Sequence, residues 1–245
     1  MNDTKTTPKS TAHSRLIGIP VHVAGSVDKH GNVRHAHTRI QQVKVDSGIG
    51  GTARFNQALT MATQAHNGQI RKGTENAQGI ATPYITHPVA VAALVVRYGG
   101  DEDQAIAGLL HDVLEDGGPK WAEPIRAQFG ARVLSMVQAC TDGVPDATGQ
   151  KPPWKQRKES YLAHLAESSG DALLVSACDK LHNLSCIVSD LRELGDAVFD
   201  RFTASKDQTI WYYTELARVL VGRVPERLGR AIRAELLELN GLAKA

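Results

Sequence analysis

Cysteine is scarce: Cys140, Cys178 and Cys186 are the only three, an odd number with no CxxC pair. That argues against a disulfide framework or a thiolate zinc site and fits a reducing compartment. Long apolar runs are missing as well. No segment reads as a membrane span, and the N-terminal MNDTKTTPKSTAHSR lacks the apolar core of a signal peptide. A cytoplasmic protein without a membrane partner is expected. A basic surplus is absent from most of the chain. Residues 1–50 hold seven Lys/Arg against three Asp, leaving 21 against 23 over the rest. The main body therefore offers no broad cationic surface for a nucleic-acid duplex. No internal repeat is visible.

What is present suffices for one sizeable core with an appendage: 245 residues, 42% of them hydrophobic. Residues 1–14 are polar and Thr-rich, a composition that buries too little surface to order itself. Leu16–Val27 and Val33–Val45 are rich in β-branched residues and flank Asp28–Asn32, which reads as a hairpin turn. The run Asp46–Thr52 is a break. The expected division is a tail with a hairpin extension over 1–52 and a helical domain over 53–245.

From Ala53 on, the pattern is helical. Gly68 ends a first helix, and Pro88 fits the first turn of a second, which Gly99-Gly100 stops. Asp101 fits the N-cap of a third helix, closed by Gly117-Gly118-Pro119. Two short helices follow near 123–129 and 131–140. Longer ones are expected over 154–166, from Gly170 onward, over Phe199–Leu220 and over Pro225–Leu239.

The third of these helices carries the chemistry. Ala105, Ile106, Leu109, Leu110, Val113 and Leu114 recur at helical spacing, so His111, Asp112, Glu115 and Asp116 lie beside or on the edge of a buried stripe. Glu115 and Asp116 near a helix C-terminus would oppose the macrodipole, a local cost that suggests a purpose. A helical His-Asp pair alone is more often a simple hydrogen bond than a metal site. Here His87, just before a helix-starting proline, and Asp179, in another apolar helix, complete a two-His, two-Asp donor set. Without sulfur, that set favours a harder divalent ion, manganese, over structural zinc.

Four stretches carry a resemblance: AHNGQIRK at 65–72, PYITHP at 83–88, LHDVLED at 110–116 and CDKLHNL at 178–184. Together, in collinear order over roughly residues 53–215, they resemble the hydrolase domain of the RelA/SpoT-homologue proteins. The likeness is closer to the stand-alone small alarmone hydrolases of the HD-domain phosphohydrolase superfamily. The resemblance implies an all-α HD-type helical bundle, here with an N-terminal β-hairpin or extended arm. It implies a manganese-dependent enzyme with one ion per chain that removes the 3′-diphosphate from (p)ppGpp, giving GDP or GTP and pyrophosphate. His87, His111, Asp112 and Asp179 would hold the metal. Glu115 and Asp116 would position or deprotonate water, Asn183 would contact the nucleotide near its 3′ position, and Arg71 and Lys72 would lie along base and phosphates. No synthetase domain is expected after Ala245. A homo-oligomer is compatible with all of this.

Rival readings stay open. The 73–82 loop is longer than is usual in the family, which leaves (p)ppApp or NADPH as alternative substrates. A non-catalytic nucleotide-binding or antitoxin-like partner is disfavoured by the complete ligand set. A nucleotide monophosphatase or cyclic-nucleotide phosphodiesterase would not carry the first two motifs. His66 and His182 read as structural, His164 as a surface residue. The N-terminal His13, His22, His30, His35 and His37 read as solvated polar surface.

Overall fold

The computed structural model describes residues 14–23, 26–27, 33–34, 37–46, 52–74, 80–142, 152–168 and 170–244, with the backbone alone described before Thr52. The expected tail at 1–13, the turn at 28–32, most of the 46–52 break and the segments 75–79 and 143–151 lie outside the described residues. So do His13, His30 and His35. The chain divides into two units, Met1–Thr52 and Ala53–Ala245.

In the first unit β1 (Ser14–Val23) pairs antiparallel with β4 (His37–Asp46), from Ser14↔Asp46 to Val23↔His37. β2 (Ser26–Val27) pairs with β3 (Val33–Arg34) in the same register. Ile17, Ile19, Val21, Val43 and Val45 favour extended backbone because their branched Cβ fits a pleated surface.

The second unit is a helical bundle: α1 (Ala53–Ala65), α2 (Thr86–Arg97), α3 (Glu102–Leu110), α4 (Val113–Gly117), α5 (Ala122–Phe129), α6 (Ala131–Cys140), α7 (Trp154–Glu167), α8 (Gly170–Leu194), α9 (Lys206–Leu220) and α10 (Glu226–Leu242). The 25-residue α8 is central and touches α2, α3, α6 and α10. Its buried stripe, Leu173, Leu174, Ala177, Leu181, Leu184, Val188 and Leu191, follows helical periodicity. α2 and α3 pack closely because residue 108 is glycine: a Cβ there would stand 3.1 Å from the Ala92 Cα. Asp101 caps α3 as expected, accepting from the Gln104 N–H while the Gln104 side chain accepts from the Asp101 N–H.

Two expectations are corrected. The helix expected to run unbroken through His111-Asp112 ends at Leu110 and restarts at Val113. Glu115 and Asp116 therefore stand in the five-residue α4, whose first and last turns overlap, so the dipole of one long helix bears on neither. The expected Phe199–Leu220 helix begins at Lys206. Gly195–Arg201 forms a 3-10 turn, and Ser205 starts α9 through a capping box with Gln208 that the apolar pattern alone does not reveal.

Candidate metal centre and nucleotide cleft

The centre sits at the turn between α3 and α4, where His111 and Asp112 keep right-handed helical dihedrals. There His111 Nε2 and Asp112 Oδ2 come within 3.0 Å. His87, in the first turn of α2 beside Pro88, brings its Nε2 to 3.2 Å from His111 Nε2 and 3.5 Å from Asp112 Oδ2. Asp179, midway along α8, places Oδ1 3.1 Å from His87 Nε2 and 3.5 Å from His111 Nε2. Two ligands at right angles and about 2.1 Å from an ion stand about 3.0 Å apart. This spacing fits a shared cation, and His87, His111 and Asp179 are all buried.

Electrostatics reinforce the fit. Burial alone would lower the His111 pKa, but the Asp112 and Asp179 carboxylates outweigh it and hold the imidazole well above its ordinary value. Burial would likewise raise both carboxyls; His111 outweighs it at Asp112, and Lys180 with His111 does so at Asp179, keeping both strongly acidic. A protonated His111 thus supplies the positive charge that two buried carboxylates demand, the place a metal cation would take.

A family model described as an HD domain matches residues 58–210. The chain belongs to the HD-domain family. It is 36% identical over 134 residues to the guanosine-3′,5′-bis(diphosphate) 3′-pyrophosphohydrolase MESH1 of Homo sapiens, covering 54% of this chain and 68% of that protein. To its Xenopus tropicalis counterpart it is 38% identical over 130 residues, covering 52% and 66%. The bifunctional (p)ppGpp synthase/hydrolase SpoT of Escherichia coli K12 is 30% identical over 190 residues, 76% of this chain but 24% of SpoT. The chain thus spans about two thirds of the first of these relatives and a quarter of the last. Among solved structures, a metazoan ortholog of SpoT that hydrolyzes ppGpp aligns with a TM-score of 0.61 at 26% identity, covering 79% of this chain and 98% of that one. The family resemblance read from the four motifs is borne out, as is the helical HD fold.

The candidate ligand atoms of this HD domain are held by an outer layer that sequence reasoning missed. His111 Nδ1 is 2.8 Å from the Gly108 carbonyl, which accepts its proton and leaves Nε2 facing the cluster. His87 Nδ1 lies 2.8 Å from His182 Nδ1, so one of the two rings donates to the other. Tyr84 donates its hydroxyl to Asp112 Oδ2 at 2.6 Å, and Lys180 donates to Asp179 Oδ2 at 2.6 Å. His182 read as structural, yet a signal was available: it follows Asp179 by three residues, on the same helix face.

Beside the cluster opens a cleft of about 680 Å³. Arg71, Lys72, Asn183 and Asp116 line it, as do Tyr84 and His182. Asn183 donates to Asp179 Oδ1 at 2.6 Å and accepts from Arg71 at 3.2 Å, linking a cleft cation to a carboxylate of the cluster. Glu115 is placed differently: it is not among the cleft-lining residues, and its carboxylate accepts the Asp142 N–H at 3.3 Å. Asp142 in turn pairs with Lys158 and Arg157. Among the described residues no helix is long and apolar enough to cross a membrane.

Proposed function

We propose that this chain is a manganese-dependent pyrophosphohydrolase of (p)ppGpp-type nucleotides, with residues 53–245 as the hydrolase domain and 1–52 as an extension. The observation that carries the proposal is the convergence of His87, His111 and Asp179 on one buried point, with Asp112 Oδ2 3.0 and 3.5 Å from the two imidazoles, beside a cleft of nucleotide size. The relatives named as 3′-pyrophosphohydrolases support it.

In this reading the four residues hold one divalent ion, which supplies Lewis acidity, acidifying water and neutralising charge on phosphoryl oxygens. An oxygen-and-nitrogen donor set without thiolate suits manganese. Water adds to the phosphorus bonded to O3′, the O3′–P bond breaks, and pyrophosphate leaves a ribose with a restored 3′-hydroxyl. Asp116, on the cleft wall, is the proton acceptor, and Glu115, which accepts the Asp142 N–H outside the cleft lining, supports it from the preceding position. Arg71 and Lys72 offset the phosphate charge, and the Arg71–Asn183–Asp179 chain of hydrogen bonds holds the 3′ end of the nucleotide in register with the ion. Tyr84 and Lys180 keep the two ligand carboxylates oriented.

The test is release of pyrophosphate from ppGpp and ppApp, and of inorganic phosphate from NADPH and a deoxynucleoside monophosphate, with manganese, magnesium or chelator. Manganese-dependent release from the first substrate is expected. Release from neither ppGpp nor ppApp would end this reading.

A further inference from the structure

The cleft carries an ion pair that the hydrolytic chemistry does not use. Along α8, Asp179, Asn183, Ile187 and Asp190 succeed one another at spacings of four, four and three, on one helix face. At 1.5 Å per residue, Asp190 stands about 10 Å beyond Asn183, comparable to the span of a ribose and a purine. Asp190 accepts from Arg201 Nη2, and Arg201 Nη1 donates to the Gly73 carbonyl at 3.0 Å. Gly73 has φ +66°, and a Cβ there would stand 2.5 Å from Arg201 Cδ, so the guanidinium fits against bare backbone. Arg201 thereby ties α8 to the turn that follows Arg71 and Lys72. Asp190 and Arg201 both line the cleft, and the Asp190 side chain is 34% exposed. A carboxylate offers about four lone-pair sites, so the bond to Arg201 leaves acceptor capacity on Asp190.

We infer that Asp190 is a specificity-determining residue that reads the substrate base, accepting the N1–H and 2-amino N–H of guanine, and that Arg201 positions it. This rests on the nucleotide-hydrolase reading of the same cleft. A carboxylate is acceptor-only. Guanine presents two adjacent donors on its N1/N2 edge, whereas adenine presents there an N1 lone pair that repels a carboxylate. The site therefore selects guanine. A mere latch on the Gly73 turn would instead serve both bases equally.

The experiment compares kcat/KM for ppGpp and ppApp in wild type, Asp190→Ala, Asp190→Asn and Arg201→Lys. It adds calorimetric binding of GDP and ADP to the manganese-loaded full chain. Wild type should favour guanine. Asp190→Ala should lower kcat/KM for ppGpp by about tenfold to a hundredfold, the loss expected for hydrogen bonds to a charged group, and change ppApp little. Asp190→Asn, which keeps the shape and one acceptor oxygen, should fall between and serves if the alanine variant does not fold. Arg201→Lys, which acts through Asp190, should lower ppGpp more than ppApp. Equal losses on both bases in the Asp190 variants, or a wild-type preference for adenine, would overturn the inference. If wild type hydrolyses neither substrate yet binds GDP over ADP in an Asp190-dependent way, the hydrolase reading falls and base selection by Asp190 stands; if it binds neither selectively, both fall.

Discussion

His182 and His87 meet Nδ1 to Nδ1 at 2.8 Å. Two lone pairs cannot face each other at that distance, so one ring carries a proton between them. Burial, with the neighbouring His87 and Arg71, lowers the His182 pKa to about 4, so His182 is neutral at pH 7. With His87 donating through Nδ1, its Nε2 lone pair points at the cluster. His182→Ala should weaken manganese binding by about tenfold to a hundredfold, the usual effect of removing a ligand's orienting partner, with the helical circular dichroism unchanged. Competitive metal titration measures this.

The same residue sets a pH dependence. Its folded pKa of about 4 lies below the ordinary 6.5, so between those values the unfolded chain binds a proton that the folded chain does not. The contribution of His182 to the stability of the metal-free protein should therefore fall as pH drops from about 6.5 to about 4. The melting temperature of His182→Gln should depend less on pH across that window, and equal slopes would remove His182 from the account.

Gly108 sits where α2 and α3 nearly touch, and a Cβ there would stand 3.1 Å from the Ala92 Cα. Gly108→Leu should cost about 1–3 kcal/mol through overpacking. Because α2 carries His87 and α3 leads into His111, it should also weaken metal binding. Urea denaturation paired with metal titration would show both losses together, and a fall in stability alone would uncouple packing from the site.

Asp101 anchors the start of the helix that delivers His111, through its capping box with Gln104. Asp101→Ala should destabilise the domain by about 1 kcal/mol. Asp101→Ala also removes the pair with Arg132; chemical denaturation measures the loss, and no change would mean that the capping box does not anchor α3.

Much of this was legible because apolar spacing, glycines and caps act locally. Leu173 to Leu191 announce α8, Asp101 announces α3, and the four motifs single out His87, His111, Asp112 and Asp179 before any geometry is known. The interruption at His111-Asp112 was not legible. No glycine or proline marks it, and Leu109, Leu110, Val113 and Leu114 keep helical periodicity across it, so the break lies in tertiary structure. For the same reason Glu115 and Asp116 read as the end of one long helix rather than as part of the short α4. Tyr84 and Arg201 escaped because their roles depend on partners far away in the chain, Asp112, 28 residues from Tyr84, and Gly73, 128 residues from Arg201; Lys180 adjoins its partner Asp179 in sequence and was legible in principle.

The most direct measurement is the manganese content of the chain after gel filtration, by elemental analysis, in wild type, His111→Ala and Asp112→Ala. One ion per wild-type chain, lost in both variants, is the predicted result. An ion retained at full occupancy in both variants would contradict the proposed centre.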